Sequence, residues 1–251
     1  MATECPTCQG TGFALATAGD GVVSAARCSC NLEHMGESIL RQAHIPRRYD
    51  HCTFESFKIQ PGCTNHDQAV RAAHDWVRAW PAVNHGLVLL GPPGTGKTHL
   101  AVAIARELVL TKRARVLFRE QRELMKALQG TFDDASTLRE SEVLGPVHEA
   151  EVLILDDLGA GRITAWAREV MHDIIAQRYN QQRPLILTSN LPMDEAAPKR
   201  RGAPGAAEGP LSLRDRLGDP LISRLYEMCK IIELSGEDFR IRIGQVIRDY
   251  R

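Results

Sequence analysis

The stretch "GLVLLGPPGTGKTHLAVAIARELVL", residues 86–110, decides how the rest of the chain is read. A short apolar run, a turn with glycines at 91, 94 and 96, and an amphipathic run at helical spacing follow one another, the order that a phosphate-binding loop requires. Glycine allows backbone amides to approach phosphate, and the start of the helix offers unpaired N–H groups and the positive end of its dipole. The expected nucleotide contacts are Gly91, Pro92, Pro93, Gly94, Thr95, Gly96, Lys97, Thr98 and His99. Lys97 is expected to reach the β and γ phosphates, and Thr98 to ligate Mg²⁺.

Downstream, "EVLILDDLG" (151–159) reads as a buried strand ending in two acids. In a parallel sheet such a strand delivers its carboxylates to the carboxyl edge, beside the phosphate loop. Asp156 is expected to hold Mg²⁺ through its water shell, and Asp157 to polarise the attacking water. A third strand, "PLILTSN" (184–190), ends in Asn190, which is expected to touch the γ phosphate or orient the water. The Asn-Lys-x-Asp pattern that reads guanine is absent, so the expected nucleotide is ATP.

Upstream, "QAVRAAHDWVRAW" (68–80) carries Val70, Ala73, Val77 and Trp80 at helical spacing and predicts a helix packed on the nucleotide domain, with both tryptophans in its core. Before it, residues 39–57 predict a short helix ended by Pro46, then an extended segment bearing Tyr49, Phe54 and Phe57.

The amino terminus poses a separate question. Four of seven cysteines, Cys5, Cys8, Cys28 and Cys30, fall within the first thirty residues. An odd total argues against a disulfide framework, and two close pairs can present four thiolates to one zinc ion. The second pair has only one intervening residue, so His34 or Cys52 can replace one ligand; reduced, unliganded thiols are the alternative. Zn²⁺ is the expected ion.

Composition bounds the rest. The 251 residues are 43% hydrophobic, enough for one good core and a small appendage. Lysine plus arginine equals aspartate plus glutamate at 31 each, which excludes a global basic field and leaves nucleic-acid binding to a local patch. No stretch approaches the roughly 18 unbroken apolar residues of a membrane helix, and no basic-then-apolar leader follows Met1, so a cytoplasmic protein without membrane contact is expected.

The order "GPPGTGKTHLA", "LILDDLGA", "ILTSNLP", "RLGDPLISRLYE" and "IIELSGEDFR", preceded by "AHIPRRYDHCTFESF", resembles the DnaC/DnaI-type helicase loaders and the related IstB transposition helper ATPases. The resemblance implies an AAA+ P-loop NTPase, α/β, with a five-stranded parallel sheet flanked by helices and a small cysteine-rich zinc-binding head. It divides the chain into a head (1–45), a linker (46–66) and an ATPase domain (67–251). "CPTCQGTG" is also similar to one repeat of the DnaJ zinc domain, but only one repeat is present.

The implied activity is ATP-dependent loading of a replicative helicase onto single-stranded DNA, by an ATP-dependent homo-oligomer. Transposition help, or a nucleotide-gated DNA adaptor with little hydrolysis, is the alternative. "RLGDPLISRLYE" puts Arg224 at the position of an arginine finger acting on a neighbouring subunit. "LFREQRELMKALQGTF" (117–132) occupies the place of a DNA-contacting helix. From Lys112 to Lys126 there are six basic residues against two acids, and Phe132 is placed to stack on a base. Many AAA+ proteins have glutamate where this chain has Asp157, so slow hydrolysis is expected. Residues 193–215, rich in alanine, proline and glycine, are expected to form a mobile loop.

Overall fold

The computed structural model describes residues 5–9, 13–17, 23–28, 40–59, 63–132, 139–194 and 211–241. Cys30, His34 and most of the expected 193–215 loop lie outside the described residues. Two short strands, β1 (Phe13–Thr17) and β2 (Val23–Arg27), pair antiparallel near the amino terminus. Helix α1 (Thr64–Ala79) leads into β3 (Gly86–Leu90), and α2 (Lys97–Glu107) follows the phosphate loop. Then come β4 (Val116–Glu120), α3 (Gln121–Gly130), α4 (Glu140–Glu149), β5 (Val152–Asp156), α5 (Ala165–Asn180) and β6 (Leu185–Ser189). Helices α6 (Leu213–Leu217) and α7 (Asp219–Met228) precede β7 (Cys229–Glu233).

The main sheet has five parallel strands in the order β4-β5-β6-β3-β7. Strands β3, β5 and β6 are buried at every position, which is why they read as unbroken apolar runs: helices cover both faces of a parallel sheet. Edge strands β4 and β7 are buried only in part. Alternation along β3 feeds two cores. Leu87 and Leu89 face a layer containing Trp76, Leu100 and Ile104, whereas Val88 and Leu90 face one containing Leu124, Ile174 and Leu225. At 25 cal/mol per Å² of apolar surface, each such leucine contributes about 2 kcal/mol against the entropy of ordering the chain.

Trp76 is buried and donates its Nε1–H to the His85 carbonyl at 2.8 Å, and Trp80 packs against the same layer. The segment expected to be extended is instead turned. A 3-10 turn spans Arg47–Tyr49 behind Pro46, and Thr53 and Ser56 bond reciprocally, Thr53 N–H to Ser56 Oγ at 2.9 Å and Ser56 N–H to Thr53 Oγ1 at 3.1 Å. Such hydroxyl-to-backbone bonds compete with extended structure. The turns place Cys52 and Phe54 in the core and let the Ala43 carbonyl accept from Phe118 N–H on edge strand β4.

One buried cation has a structural explanation. The Arg178 guanidinium, 1% exposed, donates to the carbonyls of Val147, Ala150, Glu151 and Pro184 and so fastens the end of α4 to the entry of β6. Burial lowers its pKa to about 9.

Candidate nucleotide site

The carboxyl ends of β3, β5 and β6 meet at one cavity of about 840 Å³. Because β6 lies between the other two, the acids after β5 and the loop after β3 flank the polar end of β6. Lys97, Thr98, Asp156, Asp157, Thr188 and Asn190 line this cavity.

Asp156 is 3% exposed, and its Oδ1 accepts from Thr98 Oγ1 at 2.8 Å and from Thr188 Oγ1 at 2.7 Å. Burial pushes its pKa up, while the two hydroxyl bonds pull it down. A hydroxyl and a carboxylate in contact form an oxygen-rich set of the kind a hard divalent cation takes. Asp157 has a left-handed backbone (φ +57°), its N–H donates to Thr188 Oγ1 at 2.9 Å, and its Oδ1 accepts from Asn190 Nδ2 at 2.9 Å. Aspartate tolerates this backbone region far better than most residues, a physical reason for the shorter acid here.

Lys97 donates to the carbonyls of Gly91 (2.8 Å) and Pro92 (2.6 Å), and Thr95 Oγ1 donates to Pro92 O at 2.9 Å. Gly94, Thr95 and Gly96 line the cavity, whereas Gly91, Pro92 and Pro93 are not among its lining residues. Burial lowers the Lys97 pKa to about 8 against the pull of Asp157 and Asp156. Gly94 and Gly96 have positive φ, and a Cβ at either would strike a neighbour: Asp238 Oδ1 at 1.8 Å for Gly94, the Phe57 ring at 2.6 Å for Gly96. The glycines therefore also admit the carboxyl-terminal segment and the 47–57 turn as the two side walls. His99 lines the cavity, but its ring turns to that second wall, where Nε2–H donates to the Thr53 carbonyl at 2.9 Å.

Sequence reasoning did not assign Thr188, Phe239 or Arg240 to the site. Thr188 was visible only as a polar residue near a strand end. Phe239 and Arg240 reach the cavity because Leu234 N–H bonds to Leu90 O and Phe239 N–H to Gly94 O. Arg240 is held by the Asp238 carboxylate at 3.0 Å.

Arg224 is not among the residues lining this cavity; it sits on α7 and donates to His172 Nε2 at 2.9 Å. The basic run from Lys112 to Lys126 is split by β4: Lys112, Arg113 and Arg115 precede the strand, while Arg122 and Lys126 follow it, exposed and one turn apart on α3. Phe132 is 59% exposed and rests against Trp166, ring centroids 5.5 Å apart. In the amino-terminal part, Cys5, Cys8 and Cys28 bring their sulfurs within 4.8 Å of one another, a fit to the thiolate set of a zinc site. Cys52 is not with them; it lies in the core beside His51 and His99. Among the described residues no helix is long and apolar enough to cross a membrane.

The replicative helicase loader DnaC of Escherichia coli is 27% identical over 147 residues, 59% of this chain and 58% of that protein. The chain thus spans somewhat more than half the length of the DnaC proteins that it matches. Protein XkdC of the phage-like element PBSX of Bacillus subtilis is 28% identical over 211 residues, 80% of this chain and 71% of its own. A crystal structure of the DnaC helicase loader superposes with a TM-score of 0.61 at 28% identity, covering 75% of this chain and 99% of that one. The family model described as IstB-like ATP binding protein matches residues 32–245, and with that span, the phosphate loop and the parallel sheet behind it, the chain belongs to the IstB-like ATP-binding proteins.

Proposed function

We propose that the chain is an ATP-hydrolysing loader that delivers a replicative helicase to single-stranded DNA. The observation carrying this reading is the convergence of Lys97, Thr98, Asp156, Asp157 and Asn190 on one cavity. Similarity to the DnaC helicase loaders supports a helicase as the cargo in this reading.

In this account Lys97 leaves the Gly91 and Pro92 carbonyls for the β and γ phosphates of ATP. Thr98 and Asp156 would hold Mg²⁺, which would supply positive charge to offset that of the phosphates. Asp157, oriented by Asn190 and Thr188, polarises the attacking water. Its short side chain makes turnover slow. Arg224 of an adjacent protomer meets the charge developing on the γ phosphate, and hydrolysis is coupled to an ATP-dependent homo-oligomer. Single-stranded DNA contacts the exposed pair Arg122 and Lys126, with Phe132 available for stacking on a base. The head (1–45) uses Cys5, Cys8 and Cys28, with Cys30 as fourth ligand, to hold Zn²⁺ and docks on the helicase. Residues 46–66 join it to the ATPase domain (67–251).

The test is capture of replication proteins on the immobilised chain. Replicative helicase retained with ATP, and lost in Lys97→Ala, is the expected result; retention independent of nucleotide contradicts it. The match to an IstB-like family model favours a second reading, in which the ATPase assists a transposase on duplex DNA. Retention of a transposase in place of the helicase decides for that reading.

A further inference from the structure

Three metal-ligating side chains meet away from the amino-terminal cysteines. His51, Cys52 and His99 each bring a ligand atom within 4.8 Å of the other two, and all three line the nucleotide cavity. His51 Nε2 and Cys52 Sγ are 3.8 Å apart. A tetrahedral zinc ion with one sulfur and two nitrogen ligands sets its ligand atoms about 3.3–3.6 Å apart, so that pair lies within a few tenths of an ångström of the required spacing. The His99 ring is held by the Thr53 carbonyl at 2.9 Å and Ser56 Oγ at 3.2 Å, and the Phe57 ring stands against it edge to face at 5.3 Å. Cys52 is 2% exposed, and among the described residues its sulfur's side-chain contact is with His51 Nε2.

We propose that His51, Cys52 and His99 form a second, soft-cation site of the zinc class in the wall of the nucleotide cavity. The ligand set is one thiolate and two imidazoles, the type that selects Zn²⁺ over the Mg²⁺ expected at Thr98 and Asp156. On binding, the Cys52 thiol releases its proton to solvent and the sulfur bonds the ion. Three protein ligands leave the fourth position to water or to a group entering the cavity. The ion ties the turn carrying His51 and Cys52 to helix α2, directly beside Thr98, and so links the 47–57 wall to the phosphate loop.

The test uses the full chain carrying Cys5→Ser, Cys8→Ser, Cys28→Ser and Cys30→Ser, which removes the amino-terminal thiols, titrated with Co²⁺ as the spectroscopic probe. One equivalent is expected, with thiolate-to-cobalt charge transfer and the intense visible bands of four-coordinate Co²⁺. Cys52→Ser should abolish the charge-transfer band. His51→Gln, at an exposed position where folding is not at stake, should weaken Co²⁺ binding by at least about tenfold. An unchanged far-ultraviolet circular-dichroism spectrum and a cooperative thermal transition in both variants show that the fold persists. Absence of a thiolate band in the parent, or its survival at full affinity in either variant, overturns the site without touching the loader reading.

Discussion

Thr188 offers a sharp test of how the nucleotide site is built, because its one hydroxyl serves both acids. It donates to Asp156 Oδ1 at 2.7 Å and accepts from the Asp157 N–H at 2.9 Å, at 1% exposure. Thr188→Val keeps the shape and removes both bonds. A hydrogen bond to a buried carboxylate contributes about 1.5–3 kcal/mol, and a stranded N–H costs about 1–3 kcal/mol, offset in part by the added methyl; a net loss of about 3 kcal/mol follows. For a chain of this size that lowers Tm by about 6–12 °C. The Asp156 carboxyl loses one of the two donors opposing its desolvation, so its pKa rises further. Asp157 loses the anchor of its left-handed backbone, so turnover should fall at least about tenfold while ATP affinity stays within about threefold. Thermal unfolding with steady-state phosphate release measures both, and Thr188→Ser should restore them. A valine variant within about 0.5 kcal/mol of the parent, hydrolysing at the parent rate, refutes the shared-hydroxyl account.

ATP affinity should be pH-dependent through Lys97. Its pKa is lowered to about 8, so it is charged below that pH and neutral above; affinity should be flat below pH 7 and fall, by up to about tenfold per unit, above pH 8, as nucleotide binding takes up a proton. Affinity constant from pH 7 to 9.5 contradicts this. Arg224→Ala should bind ATP without hydrolysing it, and mixing with Lys97→Ala subunits should restore part of the turnover; no rescue in proven mixed assemblies excludes a finger acting between subunits. If Cys5, Cys8, Cys28 and Cys30 hold zinc as proposed, chelation should expose the head to protease while ATP binding persists. A head equally protease-resistant with no metal bound sinks the zinc assignment.

The features legible in the sequence are those that a local pattern dictates. Three central strands appear as unbroken apolar runs because both faces of β3, β5 and β6 are covered, and the phosphate loop announces itself through glycine spacing. Features that depend on where distant segments return were not legible. Arg240 and Phe239 enter the cavity only because β7 pairs beside β3, and Thr188 matters only because β6 inserts between the loop and the acids. Strand β4 divides a basic run that looks continuous in one dimension. The 47–57 segment looked extended because its aromatic residues were visible and its Thr53–Ser56 bonds were not. Arg178 carries no sequence signal at all, since four carbonyls from two separate segments, 147–151 and Pro184, hold it.

Loading itself is the most direct measurement: purified replicative helicase, closed single-stranded DNA circles without ends, and this chain with ATP. The account predicts helicase stably retained on the circles only when both the chain and ATP are present, with no retention for Lys97→Ala. Equal retention without the chain, or none with it while ATP is bound and hydrolysed normally, would contradict the assignment of a helicase loader.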